Sequence, residues 1–168
     1  MHTNVEHREH AGQPQSPGTE LRQLVSFRLG GEEFGLDVLH VQEIIRVQQL
    51  TRVPNAPRFI EGVINVRGQV IPVIALRRRL ALEDAAPTKD TRIIVVEAKG
   101  MMLGLMVDAV SEVMRIPPSV VGPPPRLSRV DREYVAGIGK MERGLLIVLD
   151  LDRMIAGSEL LSSSAAAK

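Results

Sequence analysis

Few residues in this 168-residue chain are of types that carry covalent or acid–base chemistry. It has no cysteine, so disulfides, thiolate metal centres and cysteine nucleophiles are excluded. His2, His7 and His10 stand with Glu6 and Glu9 in a polar N-terminal stretch. Those are metal-ligand types, but a mobile tail holds ligands poorly, and the group reads as solvated. The fourth histidine, His40, has no ligand-spaced companion. No H-E-x-x-H, H-x-x-E-H, G-x-S-x-G or P-loop pattern occurs. The acidic pairs Glu32-Glu33 and Glu83-Asp84 fall in predicted turns, a poor setting for a general acid or base. Gly35, Gly62, Gly68, Gly104, Gly137 and Gly139 suit turns and bulges better than a phosphate cradle. The sequence therefore predicts no enzyme, no metal and no cofactor.

Arginine is the residue type left to do recognition. Arg77-Arg78-Arg79 is a run of three, but the net charge is only +1, so it reads as a solvated helix face and not a nucleic-acid patch. Aromatics are 2% of the chain, too few for the stacking platforms of single-strand binders. No nucleic-acid partner is expected. Arg67 is placed differently. It precedes Gly68 between two β-branched runs, Gly62 to Val66 and Gln69 to Ile74, which is the pattern of a tight hairpin. Its arms are apolar at nearly every position, so both faces should be covered. A charged, five-donor side chain on a rigid turn suits recognition.

The elements that must position Arg67 are short strands. Hydrophobic residues are 44% and charged residues 24%, as in ordinary globular domains. Residues 1–20 read as a disordered tail. Val25, Phe27 and Leu29 alternate as a half-buried strand, Gly30-Gly31 turns, and Glu33 to Leu36 returns. Asp37 then caps a predicted helix over Val38 to Arg46, with Val38, Val41 and Ile45 on one face and Glu43 on the exposed side. Thr51 to Arg58 is a loop. Leu76 to Leu80 is about one helical turn with both leucines inward. A polar linker from Glu83 to Asp90 leads to a strand over Arg92 to Glu97 and its return over Met101 to Val107. Pro117-Pro118 and Pro123-Pro124-Pro125 bracket an extended connector, followed by the mixed charges Arg126, Arg129, Asp131, Arg132 and Glu133. Gly144 to Leu149 is a buried strand, Leu151 to Ile155 a short helix, and residues 157–168 a frayed end. No apolar run approaches the roughly 18 residues of a membrane span, and the N-terminus lacks a signal peptide's apolar core, so a cytoplasmic chain without membrane insertion is expected.

The two halves echo each other. At an offset of 69, Gly31, Gly35, Leu36, Val38, Val41, Glu43 and Arg46 meet Gly100, Gly104, Leu105, Val107, Val110, Glu112 and Arg115. Seven identities in sixteen positions mark an internal repeat. At 75 or 76, Gly62-Val63 meets Gly137-Ile138, Arg67-Gly68 meets Arg143-Gly144, and Leu76 meets Leu151. The expected architecture is all-β: two copies of one unit of about 60–65 residues, roughly 21–82 and 90–156, packed as small barrels with short helices. Units of that size are marginal alone, so the copies should share a core.

Several stretches resemble the CheW family of bacterial chemotaxis coupling proteins. They are Phe27 to Gly30, Glu33 to Val38, Val41 to Ile44, Val53 to Pro57 and Phe59 to Val63, then Asn65 to Gly68 with Ile71 to Val73, and finally Gly137 to Lys140 with Leu146 to Leu151. The resemblance spans about Leu21 to Ile155. It implies two packed five-stranded SH3-like β-barrel subdomains and a non-enzymatic adaptor. Such an adaptor joins the cytoplasmic tips of methyl-accepting chemoreceptors to the regulatory domain of the histidine kinase CheA, in a membrane-associated array. A CheW-like scaffold of a non-motility pathway, serving twitching, surface sensing or development, is the alternative. By position, the resemblance puts Val41, Glu43, Ile44, Arg46, Gly62, Asn65 and Arg67 in the partner-binding region, and Val110 and Val113 in the receptor groove. Ala75 departs from the Asp that many members carry there. Glu43 and Arg67 should lie close enough to pair across the predicted helix and the hairpin.

Overall fold

The computed structural model describes residues 21–123 and 133–155. The readings of the N-terminal tail, of Pro124 to Arg132 and of the C-terminal end lie outside the described residues. Within them the chain forms strands β1 (Arg22–Leu29), β2 (Glu32–Asp37), β3 (Val41–Arg46), β4 (Ile60–Val66), β5 (Gln69–Ala75), β6 (Arg92–Ala98), β7 (Met101–Val107), β8 (Ala109–Ile116), β9 (Val121–Gly122), β10 (Val135–Met141) and β11 (Gly144–Leu149). Two short helices, α1 (Leu76–Arg79) and α2 (Leu151–Ile155), follow β5 and β11. The fold is all-β in two sheets, ordered β3-β6-β7-β5-β4 and β8-β1-β2-β11-β10-β9.

Each sheet takes strands from both halves of the sequence. Hairpin β6–β7 of the second half completes the first sheet, and hairpin β1–β2 of the first half completes the second. The exchange is symmetric down to register. Val73 faces Gly104 across the parallel pair of β5 and β7, and their repeat mates Val148 and Gly35 face each other across β11 and β2. Bulges match too, between Ile60 and Gly62 in β4 and between Val135 and Gly137 in β10.

Three apolar clusters follow from this. One lies between the sheets and joins both exchanged hairpins, through Phe27, Leu29, Phe34 and Leu36 on one side and Ile94, Val96, Leu103 and Leu105 on the other. Phe27 and Phe34 stack there at 5.9 Å. Each sheet also has its own small cluster. Ile64, Ile71, Val73, Ile93 and Val95 fill the first, and Leu24, Ile116, Leu146 and Val148 the second. Strand β1 is therefore buried on both faces, Ser26 included, and not half-buried as its alternation predicted.

The helix expected over Val38 to Arg46 is not formed. A 3-10 turn covers Val38–His40, with Leu39 N–H donating to the Asp37 carboxylate at 2.9 Å, and then β3 begins. A bulge in β3 sets Val41 opposite Val96 and Glu43 opposite Val95, which turns the two side chains to different faces. Val41 packs on the shared core and Ile45 on the first sheet's own core. Pairing with β6 overrode the helical spacing, and β-branched residues fit that pleated setting. The β4–β5 hairpin is covered only at its base, for Val70 near the tip is 63% exposed. The proline connector holds a 3-10 turn over Pro118–Val120, and β9 then pairs with β10.

Candidate partner-binding site

Arg67 and Gly68 are the two central residues of the β4–β5 turn, with φ of 53° and 85°. Positive φ at both is the type I′ geometry that matches strand twist. Arg67 is the strained member, and Asn65 holds the turn by accepting the Gly68 N–H at 2.8 Å. The turn aims Arg67 back over the sheet. Its Nη2 donates to Glu43 Oε1 at 2.8 Å, with the Arg67 side chain 82% and the Glu43 side chain 25% exposed.

This contact reports the shape of the sheet. Strands β3 and β4 lie at opposite ends of the five-strand order, about 19 Å apart if the sheet were flat. An ion pair between β3 and the β4–β5 turn requires the sheet to curl until its ends meet. Ile45 of β3 and Ile64 of β4 touch the same small core, which agrees. The Glu43–Arg67 pair is thus a latch across the seam of a barrel-like sheet.

The other expected site residues divide into three groups. Ile44, Arg46, Asn65 and Val113 are exposed, with Ile44 and Val113 occupying equivalent places on β3 and β8. Val41 and Val110 are half-buried and pack on the shared core. Gly62 is buried, and its reason is space. A Cβ there would come within 2.7 Å of the Thr51 carbonyl, where Thr51 and Val63 form an isolated bridge. At Gly137 a Cβ would lie 2.7 Å from the Gly122 carbonyl, so the requirement repeats.

The arginine run is the main correction, because it is not a solvated face. Arg77 grips Asp108 with two hydrogen bonds, 2.9 Å from Nε and 2.6 Å from Nη2, and donates to the Glu83 carbonyl. Asp108 also accepts the Gly30 N–H at 2.9 Å. The Arg77 hydrogen bonds hold the Asp108 carboxyl below the usual carboxylate range, against the opposing effect of its partial burial. Arg78 binds Glu61 at 3.1 Å and Asp84 at 2.9 Å. Arg79 lies between the rings of Phe59 and Tyr134. These side chains tie α1 and the following linker to both halves, which leaves little free charge for phosphates. Composition hid this, because their partners are 6 to 75 positions away in the chain.

The comparisons with known proteins bear on the family and the fold. The CheW-like domain family model matches residues 23–159. The chemotaxis protein CheW of Klebsiella aerogenes is 34% identical over 140 residues, covering 83% of this chain and 84% of that protein. CheW of Helicobacter pylori is 32% identical over 145 residues, covering 86% and 88%. The crystal structure of the scaffolding protein TtCheW from Thermoanaerobacter tengcongensis superposes with a TM-score of 0.77 at 39% identity, covering 84% of this chain and 98% of that one.

Proposed function

This chain belongs to the CheW family and is a chemotaxis adaptor, and from that premise we propose that it joins the regulatory domain of a CheA-type histidine kinase to the cytoplasmic tip of a chemoreceptor. Residues 21–156 act as one non-enzymatic binding unit, held in the cytoplasm at membrane receptor arrays. Among the described residues no helix is long and apolar enough to cross a membrane, so attachment comes through the partners. The partner-binding region is the latch and its surroundings: Glu43, Ile44, Arg46, Asn65 and Arg67, with Val113 on the receptor side. Gly62, Val41 and Val110 support it from beneath.

The observation that carries this reading is the Glu43–Arg67 pair, 2.8 Å long on an open seam. A pair whose arginine is this exposed contributes only about 0–1 kcal/mol to folding. A guanidinium held on a rigid turn over a carboxylate is, by contrast, well placed for a partner's acidic or carbonyl groups. The test is Arg67→Glu, Glu43→Arg and the double exchange, measured by unfolding midpoint and by co-sedimentation with kinase and receptor-bearing membranes. Single reversals should keep the fold and weaken binding roughly tenfold or more, about 1.4 kcal/mol or more. If Arg67→Glu unfolds the protein, or leaves both partners bound as before, the reading is wrong.

A further inference from the structure

Among the described residues, Arg79 occupies a place at which the two halves meet directly. The offset of 75 relates Arg79 to Met154 and Phe59 to Tyr134, and all four meet at one point. Arg79 Nη2 donates to the Met154 carbonyl at 2.8 Å. Its guanidinium carbon lies 4.6 Å from the Phe59 ring centroid and 4.8 Å from that of Tyr134. A residue that touches its own repeat mate, between a second mated pair, sits on the pseudo-two-fold axis relating the halves.

The chemistry at this point is unlike the rest of the shared core, and another directional tie between the halves, Arg77 to Asp108 and Gly30, lies outside that core. Elsewhere the shared core is made of aliphatic side chains and the Phe27–Phe34 stack. Such contacts are non-directional, and an apolar junction between two small barrels can shift without losing much burial. A planar cation between two rings is directional, because each ring attracts it over its face. The arrangement is also costly. Arg79 Nε is buried with no hydrogen-bond partner among the described residues, a penalty of about 1–3 kcal/mol. An apolar residue such as the mate, methionine, would fill the space without that cost.

We propose that Arg79 is the positioning residue that fixes the angle between the two barrels, and so the geometry in which the two halves present their partner faces. The second clause rests on the adaptor reading above, and the first does not. The absence of cysteine lets labels be placed singly in the full chain. Spin labels at Glu97→Cys in the first sheet and Lys140→Cys in the second report the inter-barrel distance. Glu97→Cys with Gln69→Cys, both in the first sheet, is the control.

In Arg79→Met the inter-barrel distance distribution should lose its single narrow peak while the control pair keeps its own. Arg79→Lys, which retains charge but not the planar fork, should recover part of the peak. Tyr134→Leu, which leaves the arginine one ring, should broaden the distribution as well, and it decides the matter should Arg79→Met not fold. In reconstituted receptor–kinase assemblies, Arg79→Met should lower kinase activation roughly tenfold while each binary affinity is retained. An unchanged inter-barrel distribution in Arg79→Met, or in Tyr134→Leu where Arg79→Met does not fold, would overturn the proposal. If the parent protein binds neither kinase nor receptor, the adaptor reading fails, and the distances still judge Arg79.

Discussion

The two sheets share one plan and differ at their seams. In the first, Glu43 on β3 meets Arg67 on the β4–β5 turn. In the second, Glu112 on β8 is the counterpart of Glu43, and the turn between β10 and β11 is Glu142-Arg143, closed by the pair of Met141 and Gly144. Register therefore makes Glu142, not Arg143, the structural mate of Arg67. The sequence match of Arg67-Gly68 with Arg143-Gly144 is off by one residue. Arg67 and Gly68 both have positive φ at the centre of their turn, whereas Arg143 has none, and Gly144, with φ of 139°, already belongs to β11. The second seam thus sets a glutamate where the first sets an arginine. Its Glu112 backbone is instead bound by the buried Ser26 hydroxyl at 3.2 Å, where the first sheet has Val95. The lesson is that topology, bulges and close-approach glycines are common property of the repeat, while the charge on each seam is individual. The ion pair is the part that the shared plan does not require.

The features common to both halves should respond alike to substitution. Leu36 and Leu105 are mates, both fully buried in the shared core. Each changed to Ala should cost about 2–5 kcal/mol in urea unfolding, in a single transition, because the exchanged hairpins make the halves interdependent. Two separate transitions would refute that interdependence. Gly62→Ala and Gly137→Ala should each cost about 1–3 kcal/mol, since each new Cβ meets a carbonyl of the adjacent bridging segment.

Acid stability draws on an ion pair that has no repeat mate. Asp108 is held below its unfolded carboxylate range by Arg77, and the mates of that pair are Leu39 and Asp152, which cannot form it. The stabilisation is present above the unfolded pKa and is lost as pH falls through the lowered folded value. Asp108→Asn should therefore flatten the acid limb of the stability curve below about pH 4, read by thermal unfolding across pH. An unaltered acid limb would mean that Asp108 does not supply it. The smallest effect belongs to the second seam. Glu142→Arg should build a latch to Glu112 and add about 0–1 kcal/mol, without conferring the binding that Arg67→Glu removes. A gain in partner binding would show that the seams are interchangeable.

The β1–β2, β4–β5 and β6–β7 hairpins, the strand Gly144–Leu149, the repeat and the short helices at Leu76 and Leu151 were legible in the chain, because each rests on local apolar spacing or glycine placement. The pairing of Glu43 with Arg67 was also within reach, although on a strand and not on a helix. The bulge at Gln42 could not be read, since an extra strand residue and a helical turn leave similar apolar spacings. The arginine run failed for a related reason. Three adjacent charges look solvated in one dimension, and only folding brings Asp108, Glu61, Phe59 and Tyr134 around them.

The sequence by itself determined that this is a duplicated all-β unit, because periodicity and residue type act over a few neighbouring positions. The tertiary structure decided that the halves exchange hairpins, that Arg67 has an acidic counterpart in the second copy, and that Arg79 stands on the axis. Those facts depend on register and closure, which are set by contacts between residues far apart in the chain.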